Sequence, residues 1–205
     1  ARSVLDRVVD SEEVLLPDHW SQTVRFELLV HGIHEPNFLP LVLEGNDRAT
    51  VLEKLRNVMA NLPLGMNKFG FAISEENQTV IASIIFLHSS IRIGAMPLAV
   101  QSGHSSFIWG TCEKGYTDPI VLLGKPSGEV VEIVPRTASD MFWTNLNFDE
   151  QGTYIVEVMT VGTHGPETAT LSPVYCGVPV PLLPRIRLCH TTPAADLAQL
   201  ESELA

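Results

Sequence analysis

Two histidines and a carboxylate fall within the stretch His31-Gly32-Ile33-His34-Glu35-Pro36, where a strand end or turn could converge two imidazoles and a carboxylate on one divalent ion. In functional terms this is a metal-assisted hydrolase using His31, His34 and Glu35. The pattern has no helix to set the imidazole spacing, no further partner at a defined interval and no second shell, so a polar loop is the competing reading. Gly103-His104-Ser105-Ser106 and Asp140 supply the residue types of a Ser-His-Asp arrangement, but such types recur by chance in a chain of this length and a triad is defined by geometry. No Gly-x-Ser-x-Gly elbow, phosphate loop or Cys-x-x-Cys pair occurs. His88, His104, His164 and His190 fall in loop or strand-end contexts, where a solvated imidazole is the default.

Cys112 lies at the end of one predicted strand and Cys176 at the end of the last. A bridge between them would contribute roughly 3 to 4 kcal/mol through loop closure in an oxidising compartment. Cys176 to Cys189 is the competing pair, and three unpaired thiols acting as small apolar residues are the third alternative. Trp143, Met141 and Trp109 project outward if Phe142, Thr144, Leu146 and Phe148 point into a core. An exposed aromatic pair on a sheet face suits a glycan or a protein partner, whereas a tryptophan packed under a neighbouring domain is the plainer outcome.

These residues must be positioned by elements that the patterning announces. Val4, Leu5, Val8 and Val9 have helical spacing before Pro17. Val24, Phe26, Leu28 and Val30 alternate with Thr23, Arg25 and Glu27, which predicts a strand over 23–30, and a second strand is expected over 38–43. Asp47 caps a helix whose apolar stripe is Val51, Leu52, Leu55, Val58 and Met59, ending near Asn61 because Pro63 disfavours helical backbone before it. Strands over 69–74 and 79–88 flank the hairpin loop Glu75-Glu76-Asn77-Gln78. The run Val80 to Leu87 is apolar on both sides and predicts cover on both faces.

From Pro97 onward the pattern is β throughout, with strands expected over 107–112, 119–123, 129–134, 141–148, 153–161 and 167–175. Lys125-Pro126-Ser127-Gly128 has the Pro and Gly positions of a type I turn, and Thr163-His164-Gly165-Pro166 punctuates similarly. Phe148-Asp149-Glu150-Gln151-Gly152-Thr153-Tyr154 fits a tyrosine corner, in which a Tyr at the start of a strand pins the preceding turn. Tyr154, Val156 and Val158 then share one face, and Ile155, Glu157 and Met159 the other. Val156 stands where antibody domains keep a cysteine, so the usual inter-sheet bridge is absent.

The resulting expectation is an α+β domain over 1–94, an immunoglobulin-like antiparallel sandwich of about seven strands over 95–178, and a proline-rich linker with the start of a helix over 179–205, carrying Leu197, Leu200 and Leu204 on one side. An apolar content of 45% in 205 residues can fill a core in each domain. A net charge of -11 argues against a nucleic-acid or anionic-membrane partner. The best basic cluster is Arg185 with Arg187, and no apolar run approaches the roughly 20 residues of a spanning helix. Opening at Ala1 fits a mature form left after signal-peptide cleavage, and equally an expression product.

The succession Lys68-Phe69-Gly70-Phe71-Ala72-Ile73, Thr79 to Leu87, Gly115-Tyr116-Thr117-Asp118-Pro119, Gly128-Glu129-Val130, Gly152 to Val158 and Gly165-Pro166-Glu167 resembles the region preceding the CAP domain in secreted bacterial CAP-domain proteins of the myxobacterial type, over residues 25–204. The resemblance implies an extracytoplasmic α/β plus Ig-like module leading into a CAP domain whose first helix would begin near Asp196, with that further domain beyond residue 205. The His and Glu cavity residues of the CAP fold have no counterparts in this chain, so no activity follows from the resemblance.

The function expected is therefore non-catalytic: a secreted or periplasmic module, without a cofactor, that contacts a protein or cell-envelope partner or spaces another domain from it. Edge strands offer a route to homo-oligomers by strand addition. The alternatives are the hydrolase on His31, His34 and Glu35 and a structural subunit of a surface assembly.

Overall fold

The computed structural model describes residues 20–181 apart from 63, 64 and 77. The expected helices over 4–16 and 193–204, most of the proline linker, Cys189, His190 and the Arg185/Arg187 pair lie outside the described residues. Two compact units emerge among the described residues, one containing Leu39–Phe86 and the other Phe26–Phe38 with residues 87–181. No helix among the described residues is long and apolar enough to cross a membrane.

In the first unit, Asp47 caps helix α2 (Arg48–Met59): its carboxylate accepts the Thr50 N–H at 2.7 Å, and hydrogen bonds from Thr50 hold the Asp47 carboxyl below its usual pKa. Strands β1 (Phe38–Gly45), β2 (Lys68–Glu76) and β3 (Thr79–Leu87) form a sheet in the order β1-β3-β2. Leu43, Val51, Leu55, Phe71, Val80, Ala82, Ile84 and Phe86 make one core. The alternation along β3 buries its even-numbered side and, on the other side, only Leu87 at the strand's end, because Ile81 and Ile85 stay part-exposed and Ser83 is exposed. Among the described residues, the second face of this strand is thus left uncovered over Ile81, Ser83 and Ile85. The loop between β2 and β3 is also tighter than expected, the strands continuing to Glu76 and resuming at Thr79.

The second unit is a sandwich. Strands β4 (Ile91–Ile93), β6 (His104–Cys112), β9 (Arg136–Ala138) and β10 (Met141–Phe148) form one sheet in the order β4-β6-β10-β9. Strands β5 (Ala99–Val100), β7 (Thr117–Gly124), β8 (Val130–Ile133), β11 (Gly152–Gly162) and β12 (Gly165–Cys176) form the other in the order β5-β12-β11-β7-β8. Ile91, Ile108, Phe142, Leu146 and Phe148 from the first sheet share a single core with Val121, Leu123, Tyr154, Val156, Val158 and Val174 from the second. Two inner faces with a common core define the sandwich. The expected strands are present, and the short β4, β5 and β9 add to them.

Tyr154 makes the corner foreseen: its hydroxyl accepts the Glu150 N–H at 2.7 Å and donates to Asp149 Oδ1 at 2.9 Å. Tyr154, Val156 and Val158 are fully buried while Ile155 is 41% exposed. Gly128 N–H closes the turn expected here on Lys125 O at 2.9 Å. On β12 a bulge opposite Val158/Met159 turns Ala169 and Thr170 inward together, so two consecutive residues are buried.

The stretch expected as a strand over 23–30 is a helix, α1 (Trp20–Val30). Val24 and Leu28, which fit a two-residue alternation, also stand at i and i+4, and with Glu27 they form the buried side while Val30 is exposed. The decisive signal is Gly32 with φ +77. Gly32 N–H bonds to Leu29 O and Ile33 N–H to Leu28 O, at 3.0 and 2.8 Å, the paired closure of a Schellman cap that needs a left-handed residue at this position.

Candidate functional site

The outer face of the β4-β6-β10-β9 sheet collects the aromatic residues that do not enter the core. On β10, Phe142, Leu146 and Phe148 point inward, which sends Met141, Trp143, Asn145 and Asn147 outward; on β6, Ile108 and Gly110 are inward, and Ser105, Phe107, Trp109 and Thr111 outward. The antiparallel register sets Trp109 directly opposite Trp143, Phe107 opposite Asn145 and Ser105 opposite Asn147. On the far side, β9 sets Arg136 opposite Trp143. Trp109, Trp143 and Arg136 therefore form one row across three strands spaced by about 4.8 Å. Phe107 is 56%, Trp109 46% and Met141 44% exposed, while Trp143, on the same side of its strand as Met141, is part-buried.

Two glycines shape this face. Gly110 has no room for a Cβ, which would stand 2.6 Å from the Phe142 ring beneath it. A Cβ on Gly94 would fall 2.5 Å from the Trp109 indole, so that ring rests on bare backbone, beside the Gly94 N–H bond to Trp109 O at 2.8 Å. The charge pattern is equally specific. Strands β4, β6, β9 and β10 contain no Asp or Glu, whereas the other sheet carries Asp118, Glu132, Glu157 and Glu167.

At one end the face runs into an open cleft of about 690 Å³, whose lining includes Arg92, Thr111, Cys112, Glu113, Lys114 and Asp140. Arg92 Nε donates to Glu113 Oε1 at 2.8 Å. Burial, followed by the negative charges of Asp140 and Asp118, pushes the Cys112 thiol above its usual pKa, which is the reverse of what a nucleophilic cysteine requires.

The residues proposed for metal do not converge. His31 is exposed at the helix cap, whereas His34 is 5% exposed and its Nδ1 hydrogen-bonds with Ser172 Oγ at 2.7 Å. Leu171 N–H bonds to His34 O at 3.1 Å, so this segment lines the β12 edge. Burial holds the His34 imidazole below its ordinary pKa, against a smaller upward pull from Glu35. No group of three or more His, Cys, Asp or Glu side chains is arranged to hold a metal among the described residues.

The Cys112–Cys176 bridge is not formed, and among the described residues neither thiol is paired. Cys176 Sγ reaches Phe148 O, and Phe148 pairs with His104, at the opposite end of the nine-residue β6 from Cys112. At about 3.3 Å per residue those ends lie roughly 26 Å apart, far beyond the 7 Å or so that a disulfide spans between Cα atoms. The same separation divides His104 and Ser105 from Asp140, whose carbonyl accepts the Cys112 N–H, so no triad forms.

Sequence reading missed Arg136, Phe107, Asn145 and Asn147 as members of the outer face. Alternation would have placed Phe107 there beside Trp109, but only the register shows what stands opposite.

The chain matches no protein-family model and no curated protein. Solved structures similar to it include the fibronectin(III)-like modules of CbhA from Clostridium thermocellum, at 12% identity over 44% of this chain and 99% of that one, with a TM-score of 0.31. CopC from Methylosinus trichosporium OB3b is similar at 10% identity over 45% of this chain and 99% of that one, with a TM-score of 0.33. A superoxide reductase (neelaredoxin) from Ignicoccus hospitalis is similar at 14% identity over 43% of this chain and 80% of that one, with a TM-score of 0.29.

Proposed function

We propose that this protein is a non-catalytic, extracytoplasmic binding module whose outer β4-β6-β10-β9 face makes the contact with a protein or envelope component. The observation that carries the reading is the in-register row of Trp109, Trp143 and Arg136, standing outside a sheet that commits Ile91, Ile108, Phe142, Leu146 and Phe148 to the core. Large aromatic side chains left at the surface in a row, with a guanidinium at its end, are the composition of a contact patch. The unit containing Leu39–Phe86 serves as a separate α+β domain, and the sandwich is of the Ig-like type that the tyrosine corner suggests. The secreted or periplasmic location and a following CAP domain are supported by the sequence resemblance alone.

Co-sedimentation of the purified chain with envelope fragments of its source cells tests this reading. The wild type is expected in the pellet and a Trp109→Ala/Trp143→Ala variant in the supernatant. A wild type that stays in solution, or a variant that pellets equally, overturns it.

A further inference from the structure

We infer that the outer β4-β6-β10-β9 face binds a glycan strand bearing carboxylates, its sugar rings against Trp109 and Trp143 and a carboxylate on Arg136. This rests on the reading that the same face makes the external contact, and adds the chemistry of what is held there.

A pyranose ring offers an apolar C–H face and a rim of hydroxyls, so its site needs a flat aromatic platform flanked by hydrogen-bonding groups. The face has that composition. The next rows beyond the tryptophan pair are Phe107 with Asn145 and Ser105 with Asn147, and Asn145, Asn147 and Ser105 are all exposed. A protein partner binding by hydrophobic burial would meet amides and a hydroxyl where the centre of its interface should be apolar. The platform is also preset, because the Trp109 indole lies on Gly94 with no side chain between them, which lowers the ordering cost of stacking.

Charge selects among glycans. Carboxylates accept well from sugar hydroxyls, and a chain of net charge -11 has many to offer a neutral glycan. Their exclusion from all four strands of this sheet is what an anionic ligand requires, since like charges brought together repel. Arg136 is exposed beside Trp143, and no ion pair ties down its guanidinium among the described residues. Arg92 and Thr111 belong both to this face and to the end cleft, where Glu113 pairs with Arg92 and Asp140 stands beside Lys114 in the lining, so the acidic strand is held by the rows from Trp109 to Asn147 and ends at the cleft.

The test titrates the full chain with polygalacturonate, alginate and hyaluronan fragments and with maltooligosaccharides of matched length, followed by tryptophan fluorescence and calorimetry. At least one uronate oligomer is expected to bind and shift the emission, and its affinity should weaken as salt rises. Trp143→Ala and Arg136→Gln, each checked for native circular dichroism, should weaken it by about tenfold, and the Arg136→Gln variant should lose most of the salt dependence. Maltooligosaccharides that bind as tightly, with Arg136→Gln without effect, overturn the acidic ligand and leave the contact face standing. Binding of neither class, while envelope fragments still retain the wild type and release the double tryptophan variant, overturns the glycan alone. Retention of that double variant overturns the contact face as well.

Discussion

The Tyr154 hydroxyl donates to the Asp149 carboxylate at 2.9 Å, across the turn that feeds the central strand of the five-stranded sheet. The same oxygen accepts the Glu150 N–H, and the ring meets Phe148 edge-on at 5.0 Å. One side chain thereby ties a core strand to its entry loop. Tyr154→Phe keeps the ring and removes both bonds, so it should cost about 1–3 kcal/mol of unfolding free energy at neutral pH, measured by urea titration.

The pH dependence of that variant follows from the carboxylate. The Tyr154 hydroxyl, then the backbone of Asp149, then Lys125 hold the Asp149 carboxyl below its ordinary pKa. A depressed carboxylate contributes stability above its unfolded pKa and loses it as pH falls through the folded one. The gap between wild type and Tyr154→Phe should accordingly narrow in acid, and a gap that is constant down to about pH 2 would show that the hydroxyl acts through Glu150 alone.

His34 has the same sign in a higher window, with burial of the neutral form as the cause. Its imidazole is held neutral by burial against Ser172, so the unfolded chain takes up a proton at about pH 6.5 while the folded chain resists it. Its contribution is complete above that pH and declines as pH drops toward the folded value. In His34→Gln the loss of stability between about pH 7 and 5 should shrink, as read from thermal midpoints across that window; an unchanged slope would assign the acid sensitivity to other groups.

Most of the sandwich was legible because its strands keep strict alternation and its turns use Gly and Pro at diagnostic places, as at Lys125 to Gly128. The tyrosine corner was legible for the same reason, being local in sequence. The 23–30 segment misled because Val24 and Leu28 satisfy both periods, and only Gly32 with Ile33 behind it separates a capped helix from a strand. The Cys112–Cys176 error is of another kind: two strand ends look equivalent in sequence, and nothing local says which end of the stack each occupies. The row of Trp109, Trp143 and Arg136 joins residues from three strands, so it exists only once register is known.

Cys112 and Cys176 should both be recovered as free thiols. Burial raises the pKa of each, and Cys176 is fully enclosed, so in native protein at neutral pH Cys112 should alkylate slowly and Cys176 more slowly still. Peptide mapping of protein unfolded without reductant checks this, and a cross-linked peptide joining the two would contradict the strand arrangement.

Strand β8 is the outer strand of its sheet, and Val130 and Val134 are 63% and 75% exposed on either side of Glu132. Two copies pairing antiparallel about that centre would set the Glu132 carboxylates opposite one another, which disfavours the pair. Glu132→Gln should therefore raise concentration-dependent association at neutral pH, measured by light scattering. Equal association of variant and wild type would mean that this edge does not govern self-assembly.

Gly94→Ala separates the position of Trp109 from the integrity of the core. The added methyl would stand 2.5 Å from the indole, and because Trp109 is 46% exposed the ring can swing outward while Phe142, Leu146 and Phe148 remain in place. Stability should change by under about 1 kcal/mol, as for a surface substitution, while tryptophan emission shifts to longer wavelength and retention on envelope fragments falls. Gly110→Ala is the matched control: its methyl would meet both the Phe142 ring and the Arg92 carbonyl at 2.6 Å, contacts with no exposed side chain to yield, so it should cost about 1–3 kcal/mol. Should Gly94→Ala leave both emission and retention as in the wild type, the seating of Trp109 on Gly94 would have no part in binding.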